Sequence, residues 1–378
     1  MQAQLSSGLD QALDRAIAEQ RIVGGVLLVA HRGQVVYERA VGSSDRDAGR
    51  ATRVDDLFRY SSLTKPIVTA AALALIARGK LKFDDVASKW LPEFRPKLKD
   101  GSAPAITIKQ LLTHTSGLNY LFAEPEGGPY HRARVSDGMD QPGLSMEENL
   151  RRIASAPLLC APGSEWHYSV SLDVLGAILE KAAGKSLQEV VAELVTGPLG
   201  MRDTAFRVID RNRLAAAYVD GRPPKPMTDP QTVPFPPGAG IVYSPSRAFD
   251  EQSFPAGGVG MIGSAPDMLR FLECIRSGGD PILPRELAAS MMQNQIGALP
   301  ILIPGFGFGY GGAVMLDPAA SQSPQNIGAW RWGGVYGHTW FVDPTLEVTN
   351  VLLTNTALEG MIGQLAVDVL VATYAAMK

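Results

Sequence analysis

Between Pro66 and Ala77 the chain carries no charge and only one polar side chain, Thr69. Its Ala and Leu content suits a helix, and Gly79 beyond it suits a glycine cap. A helix that is apolar on every face must be covered on every face. Residues 62–78 therefore predict a central helix wrapped by the rest of the molecule. The 378 residues can supply that wrapping, since at about 150 residues per unit the length suggests two or three structural units. With 46% hydrophobic and 19% charged residues, the composition is that of a globular protein and not of a disordered one.

The net charge is −3 and the charges are interspersed, which argues against a nucleic-acid or polyanion partner. The apolar runs at residues 22–30 and 67–77 fall short of the ~20 residues of a bilayer span, so no membrane-spanning helix is expected. At the N-terminus Leu5, Leu9, Leu13 and Ile17 recur at helical spacing among Asp10, Asp14, Arg15 and Glu19. That pattern predicts an amphipathic helix and not a signal peptide. Cys160 and Cys274 are the only cysteines. They cannot form a disulfide framework or a four-cysteine zinc site, and a reducing cytoplasm is the expected compartment.

Residues 25–31 and 34–41 are β-prone runs joined across Arg32-Gly33 and predict a hairpin. From residue 81 to 217 helical patterns dominate, at 107–113, 146–155, 172–183 and 187–195. Residues 221–240 hold seven prolines and predict a long ordered loop or domain crossing. Strands are expected again at 310–316, 329–334, 339–342 and 347–354, and a helix at 363–376. The predicted fold is α+β: a sheet domain built from residues 1–80 and 241–378, with an all-helical domain, 81–240, inserted between them.

Three features could carry chemistry. Ser62 and Lys65, three residues apart, project from one face at the start of the central helix. Such a pair arises about once by chance in a chain of this composition, so its context matters more than its presence. Unpaired N–H groups and the positive helix end favour an oxyanion beside Ser62. The same serine also suits a plain N-cap. A lysine at the mouth of so apolar a helix is harder to explain as a surface charge, and desolvation would lower its pKa toward that of a usable base.

The second feature is Tyr168, on the loop Pro162-Gly163-Ser164-Glu165-Trp166-His167-Tyr168, with Ser169 or Ser171 expected to cap the next helix. Taken alone, a loop tyrosine is more often a packing residue than a base. The third is Trp332-Gly333-Gly334-Val335, a strand entering a Gly-rich turn, where period two puts Arg331 and Trp332 on opposite faces. His31, His114, His131, His167 and His338 show no paired metal-ligand spacing, and no Gly-rich phosphate loop or Gly-x-Ser-x-Gly elbow occurs. No cofactor and no catalytic metal is expected.

In this order, Ser62-Leu63-Thr64-Lys65, Tyr168-Ser169-Val170 and Trp332-Gly333-Gly334 resemble the serine β-lactamase and penicillin-binding-protein superfamily in its class C-like branch. Residues 106–118, ITIKQLLTHTSGL, and 256–261, AGGVGM, resemble two further signatures of that branch. The resemblance implies a β-lactamase-like fold, an antiparallel sheet flanked by helices. It makes Ser62 the acylated nucleophile, Lys65 the adjacent proton acceptor and Tyr168 the general base, acidified by Lys65. Ser62 and Val335 N–H would form the oxyanion hole, and His114 and His338 would be structural.

Two departures are informative. Val170 stands where β-lactamases of the branch carry Asn, and Trp332 where they carry Lys or His. Both are expected to line the substrate site with Gly333 and Gly334, and both remove polar anchors for a β-lactam or peptide. That pattern is similar to the family VIII carboxylesterases and related acyltransferases. A register through His338-Thr339-Trp340 instead leaves too few residues before Asp343-Pro344 for the return strand. The expected activity is hydrolysis of small, neutral, short-chain esters through an acyl-enzyme, with water or an alcohol as acceptor. A β-lactamase or D-alanyl-D-alanine peptidase is the alternative, and a non-catalytic binding protein is a third reading.

Overall fold

The computed structural model of the chain describes residues 2–378. Its frame is an eight-stranded antiparallel sheet. Three strands precede the central helix: β1 (Gly24–His31), β2 (Gln34–Asp45) and β3 (Arg50–Ala51). Five follow late in the chain: β4 (Phe306–Phe308), β5 (Ala313–Met315), β6 (Trp330–Gly334), β7 (His338–Asp343) and β8 (Val348–Thr354). Their spatial order is β4-β5-β6-β7-β8-β1-β2-β3. β1 thus joins the two ends of the chain, with Gly25 opposite Thr354 on one side and Val41 on the other.

β1 is buried along nearly its whole length because layers cover both faces. Alternation sends Val26, Leu28 and Ala30 into one core and Leu27 and Val29 into another. The second core is closed by α1 (Gln2–Ala18), through Leu5, Leu9 and Leu13, and by the C-terminal helix. The first and larger core holds α2 (Thr64–Ala77), α3 (Ser171–Ala183) and α4 (Ala265–Arg276), and α4 lies against β1 and β8.

The expected central helix is present as α2, with every residue from Thr64 to Leu75 buried. It ends in a Schellman motif, in which Gly79 takes φ +68 and the Gly79 and Lys80 N–H groups bond Ile76 and Leu75 carbonyls at 2.9 Å. Its start differs from the expectation, because Ser61–Leu63 form a separate 3-10 turn ahead of the α-helix. Neither segment has a side-chain cap, so Ser62 is not an N-cap.

Other expectations need correction. The proline-rich stretch is not wholly irregular. It forms two ribbons, Tyr218–Val219 with Lys225–Pro226 and Gln231–Val233 with Ile241–Tyr243. Two-stranded ribbons have outward-facing positions whose N–H needs no partner, and there proline is tolerated. After residue 240 the chain supplies not only strands but also α4 and the helix Arg285–Met291. The helix expected at 187–195 runs from Leu187 to Val191 and then widens into a π-type turn, Ala192–Thr196.

By length and composition alone, the stretch Glu359–Met377, 19 residues with mean hydropathy 1.4, could cross a membrane. Gly363 is extended and splits it into Glu359–Ile362 and α5 (Gln364–Met377). Leu365, Val369 and Tyr374 of α5 are buried in the second core.

β6 delivers Trp332 and the following turn to the start of α2. It passes so near the 3-10 turn that a Cβ on Gly334 would lie 2.5 Å from the Tyr60 carbonyl oxygen and 3.0 Å from Leu63 Cδ1. Gly334→Ala should therefore force strand and turn apart and destabilise the fold by about 1–3 kcal/mol. Urea denaturation checks this, and a variant as stable as the parent would refute the close approach.

Candidate active site

Ser62 sits in the 3-10 turn immediately after Ser61, whose φ of +51 is left-handed and costly for a residue other than glycine. The turn brings the Ser62 hydroxyl to face two other segments. Tyr168 OH donates to Ser62 Oγ at 2.7 Å and itself accepts Trp332 Nε1–H at 3.1 Å. Lys65, one helical turn on, donates to Ser62 Oγ at 3.2 Å, to Tyr120 OH at 2.9 Å and to the Gly258 carbonyl at 2.9 Å. The lysine is 0% exposed, so those three bonds replace all the water its amine would otherwise hold.

The electrostatics follow from burial. Lys65 is pushed down to about 7 by desolvation, with Asp173 and Asp137 opposing that shift. Asp173 is pushed up to about 6 by burial, against the pull of Lys65 and the Gly258 N–H, which Oδ1 accepts at 3.1 Å. Its other oxygen has no hydrogen-bond partner among the described residues. Burial also raises the Tyr168 phenol, against its hydrogen bonds with Ser62 and Trp332. His114, buried beside Lys65, is held well below the usual histidine range by desolvation and stays neutral. Its Nδ1 accepts the Ser169 N–H at 3.2 Å. His338 accepts the Thr354 N–H at 3.2 Å and faces the Arg59 carbonyl at 2.9 Å.

Glycine is required at position 258 for space. A Cβ there would lie 2.8 Å from Asp173 Oδ2, 3.0 Å from Tyr120 OH and 3.4 Å from Lys65 Nζ. Around the mouth of the site, Tyr168 packs on Trp332 with ring centroids 5.1 Å apart, and Trp332 meets the edge of Phe308 at 5.4 Å. Arg331 points away, bonded to Gln325 at 3.2 Å. Ser62 N–H and Val335 N–H donate to no backbone or side-chain acceptor among the described residues.

Ser62, Lys65, Tyr168 and Trp332, chosen from the sequence, thus meet within hydrogen-bond contact, with Gly333, Gly334 and Val335 beside them. Val170 does not line the site. It is fully buried in the first core, its N–H bonds the Asn119 carbonyl at 3.2 Å, and it occupies the N-cap position expected of a serine. Ser169 and Ser171 instead bond one another at 2.8 Å. Lys65 does not hydrogen-bond Tyr168, as the expected acidified pair requires. Its Nζ lies over the Tyr168 ring, 4.6 Å from the centroid, and its phenolic partner is Tyr120. Tyr120 and Asp173 carry no motif in the sequence, and Gly258 appears there only within the 256–261 signature. Asp173 left a signal, as the one charged residue between Ser171 and Leu179.

Residues 9–372 match the family model described as Beta-lactamase. The chain is 50% identical over 377 residues to Esterase EstB of Burkholderia gladioli, covering 99% of this chain and 96% of that protein. It is 27% identical over 371 residues to Lovastatin esterase of Penicillium rubens, covering 89% of each. Among solved structures, EstCE1, described as a hydrolase with promiscuous acyltransferase activity, superposes with a TM-score of 0.95 at 44% identity over 99% of both chains. With the match extending over nearly its whole length, the chain belongs to the beta-lactamase family.

Proposed function

We propose that the protein is a cofactor-independent serine carboxylesterase of the family VIII type, cleaving small neutral esters through an acyl-enzyme on Ser62. The observation that carries this reading is the convergence of Lys65 Nζ and Tyr168 OH on Ser62 Oγ, beside two N–H groups without acceptors. The naming of similar proteins as esterases, one with acyltransferase activity, supports the same chemistry.

In this mechanism neutral Lys65 takes the Ser62 proton as Oγ attacks the ester carbonyl carbon. The oxyanion is held by Ser62 N–H and Val335 N–H. Tyr168, kept protonated by burial, passes its proton to the leaving alkoxide, and the ammonium then on Lys65 balances the phenolate this leaves. This shifts the base role in acylation from Tyr168, where the resemblance puts it, to Lys65. Water then takes the place of the departed alcohol and gives a proton to the Tyr168 phenolate as it attacks, and Lys65 returns its proton to Ser62 Oγ as the acid is released. An alcohol in that position gives acyl transfer. A cytoplasmic location belongs to this reading, supported by two buried free thiols, Cys160 and Cys274.

Ser62→Ala should abolish ester hydrolysis and fluorophosphonate labelling while the chain stays folded, because the serine caps no helix. Turnover surviving in that variant would move the nucleophile elsewhere.

The pH profile follows from Lys65. With its pKa lowered to about 7, the amine is protonated and unable to accept a proton at lower pH and is free above it. The plot of log kcat/KM should rise with a slope of about one on the acid side and level off above neutrality. A rate unchanged between about pH 5 and 9 would exclude a base of this kind.

Selectivity follows from the Trp332 wall. A carboxylate presented there meets aromatic surface in place of a cation, and desolvating it without a partner costs several kcal/mol. The parent enzyme should prefer a neutral ester over its ω-carboxylated analogue by at least about tenfold, ~1.4 kcal/mol, and Trp332→Lys should narrow that ratio. Preference of the parent for the anionic ester would favour a β-lactam or peptide substrate.

A further inference from the structure

The loop that carries Tyr168 gathers three metal-ligating side chains on its outer side. Cys160 Sγ, a Glu165 carboxylate oxygen and a His167 ring nitrogen all lie within 4.8 Å of one another. Their spacing, Cys-x4-Glu-x-His, does not repeat any paired-histidine or two-cysteine pattern, which is why the sequence alone did not reveal it.

The local fold explains the gathering. Trp166 turns inward and packs on Phe308 with ring centroids 5.3 Å apart. Its neighbours Glu165 and His167 consequently emerge together on the opposite side, where His167 Nε2 and Glu165 Oε2 are 2.9 Å apart. The turn at Pro162-Gly163 reverses the chain and returns Cys160 to the same place. Backbone bonds fix both arms on residues 114–117: Leu159 N–H to Gly117 at 2.8 Å, Gly163 N–H to Thr115 at 2.7 Å and His167 N–H to His114 at 2.9 Å. The donors are therefore held before any ion arrives, which reduces the ordering a ligand must impose.

We infer that Cys160, Glu165 and His167 form a site for a borderline divalent cation of the Zn2+ type, with water in the fourth position. The donor set of one sulfur, one imidazole nitrogen and one carboxylate oxygen suits zinc and not magnesium or calcium, whose ligands are oxygens. Binding replaces the His167–Glu165 hydrogen bond with two metal bonds, the imidazole proton moving from Nε2 to Nδ1 through solvent, and releases the Cys160 thiol proton to solvent. Burial, together with the Glu165 carboxylate, keeps that thiol protonated in the free protein, and the dication supplies the charge that stabilises the thiolate. None of the three side chains touches Ser62, Lys65 or the Tyr168 hydroxyl, so the site is separate from the reacting groups.

The test uses the whole chain, freed of metal with a chelator and titrated with Zn2+ in competition with a chromophoric chelator. One equivalent should bind, and Cys160→Ser and His167→Gln should each weaken binding by at least about tenfold. Cys274→Ser, which alters the other buried thiol, should bind as the parent does. Co2+ in place of Zn2+ should give a sulfur-to-metal charge-transfer absorption that Cys160→Ser abolishes and Cys274→Ser retains. Retained ester turnover in Cys160→Ser shows that its fold is intact. Absence of stoichiometric Zn2+ binding, or equal binding by the parent and a folded Cys160→Ser, overturns the assignment.

Discussion

The amine of Lys65 has no contact with water, and the architecture of the site follows from that fact. An ammonium group in so apolar a place is costly, and the cost is offset by three acceptors drawn from three separate stretches of chain. Ser62 comes from the turn before α2, Tyr120 from the segment after residues 106–118, and the Gly258 carbonyl from the loop ahead of Ile262. Satisfying one side chain therefore ties the Ser62 turn to two distant loops. Asp173 stands behind the same loop, bonded to the Gly258 N–H, so it supports the acceptor and raises the amine's affinity for its proton. Chemistry and local stability are served by the same contacts.

The second constraint is proximity. Gly334 and Gly258 sit where a single methyl group would strike the Tyr60 carbonyl or the Lys65 cluster. They place β6 and the 256–261 loop against the start of α2 closely enough for hydrogen bonds between side chains of modest reach. Trp332 then extends over the mouth, and its indole N–H orients the Tyr168 hydroxyl. Where a cation would draw an anionic substrate, this chain has a neutral donor directed at its own tyrosine.

Much of this was legible in the sequence because the signals were local. The apolar run after Lys65 announced a buried helix, and the β-prone runs at 329–334 and 347–354 announced strands. What escaped was of two kinds. α4 has Pro266 and Asp267 in its first turn and Met268, Leu269, Phe271, Leu272 and Ile275 at helical spacing, yet the sequence reading assigns no element to that segment. Tyr120 gave no local signal, and Gly258 stood out only as part of the 256–261 signature, since their roles arise only when Lys65 reaches them across 55 and 193 positions. Val170 illustrates the converse error. Its place in the motif suggested a wall residue, whereas the backbone turns its side chain into the core.

The position of β1 has a kinetic consequence. This strand forms early in the chain, yet one of its edges is completed only by β8, where Gly25 meets Thr354. During synthesis the Ser62 turn leaves the ribosome long before Trp332 and Val335 exist, and one side of β1 stays unpaired in the interval. Pairings across such separations carry a large loop-closure cost and form late. Ser62 thus remains a serine on a partly assembled layer until the last strands return, and the full cluster around it appears only with the closed sheet.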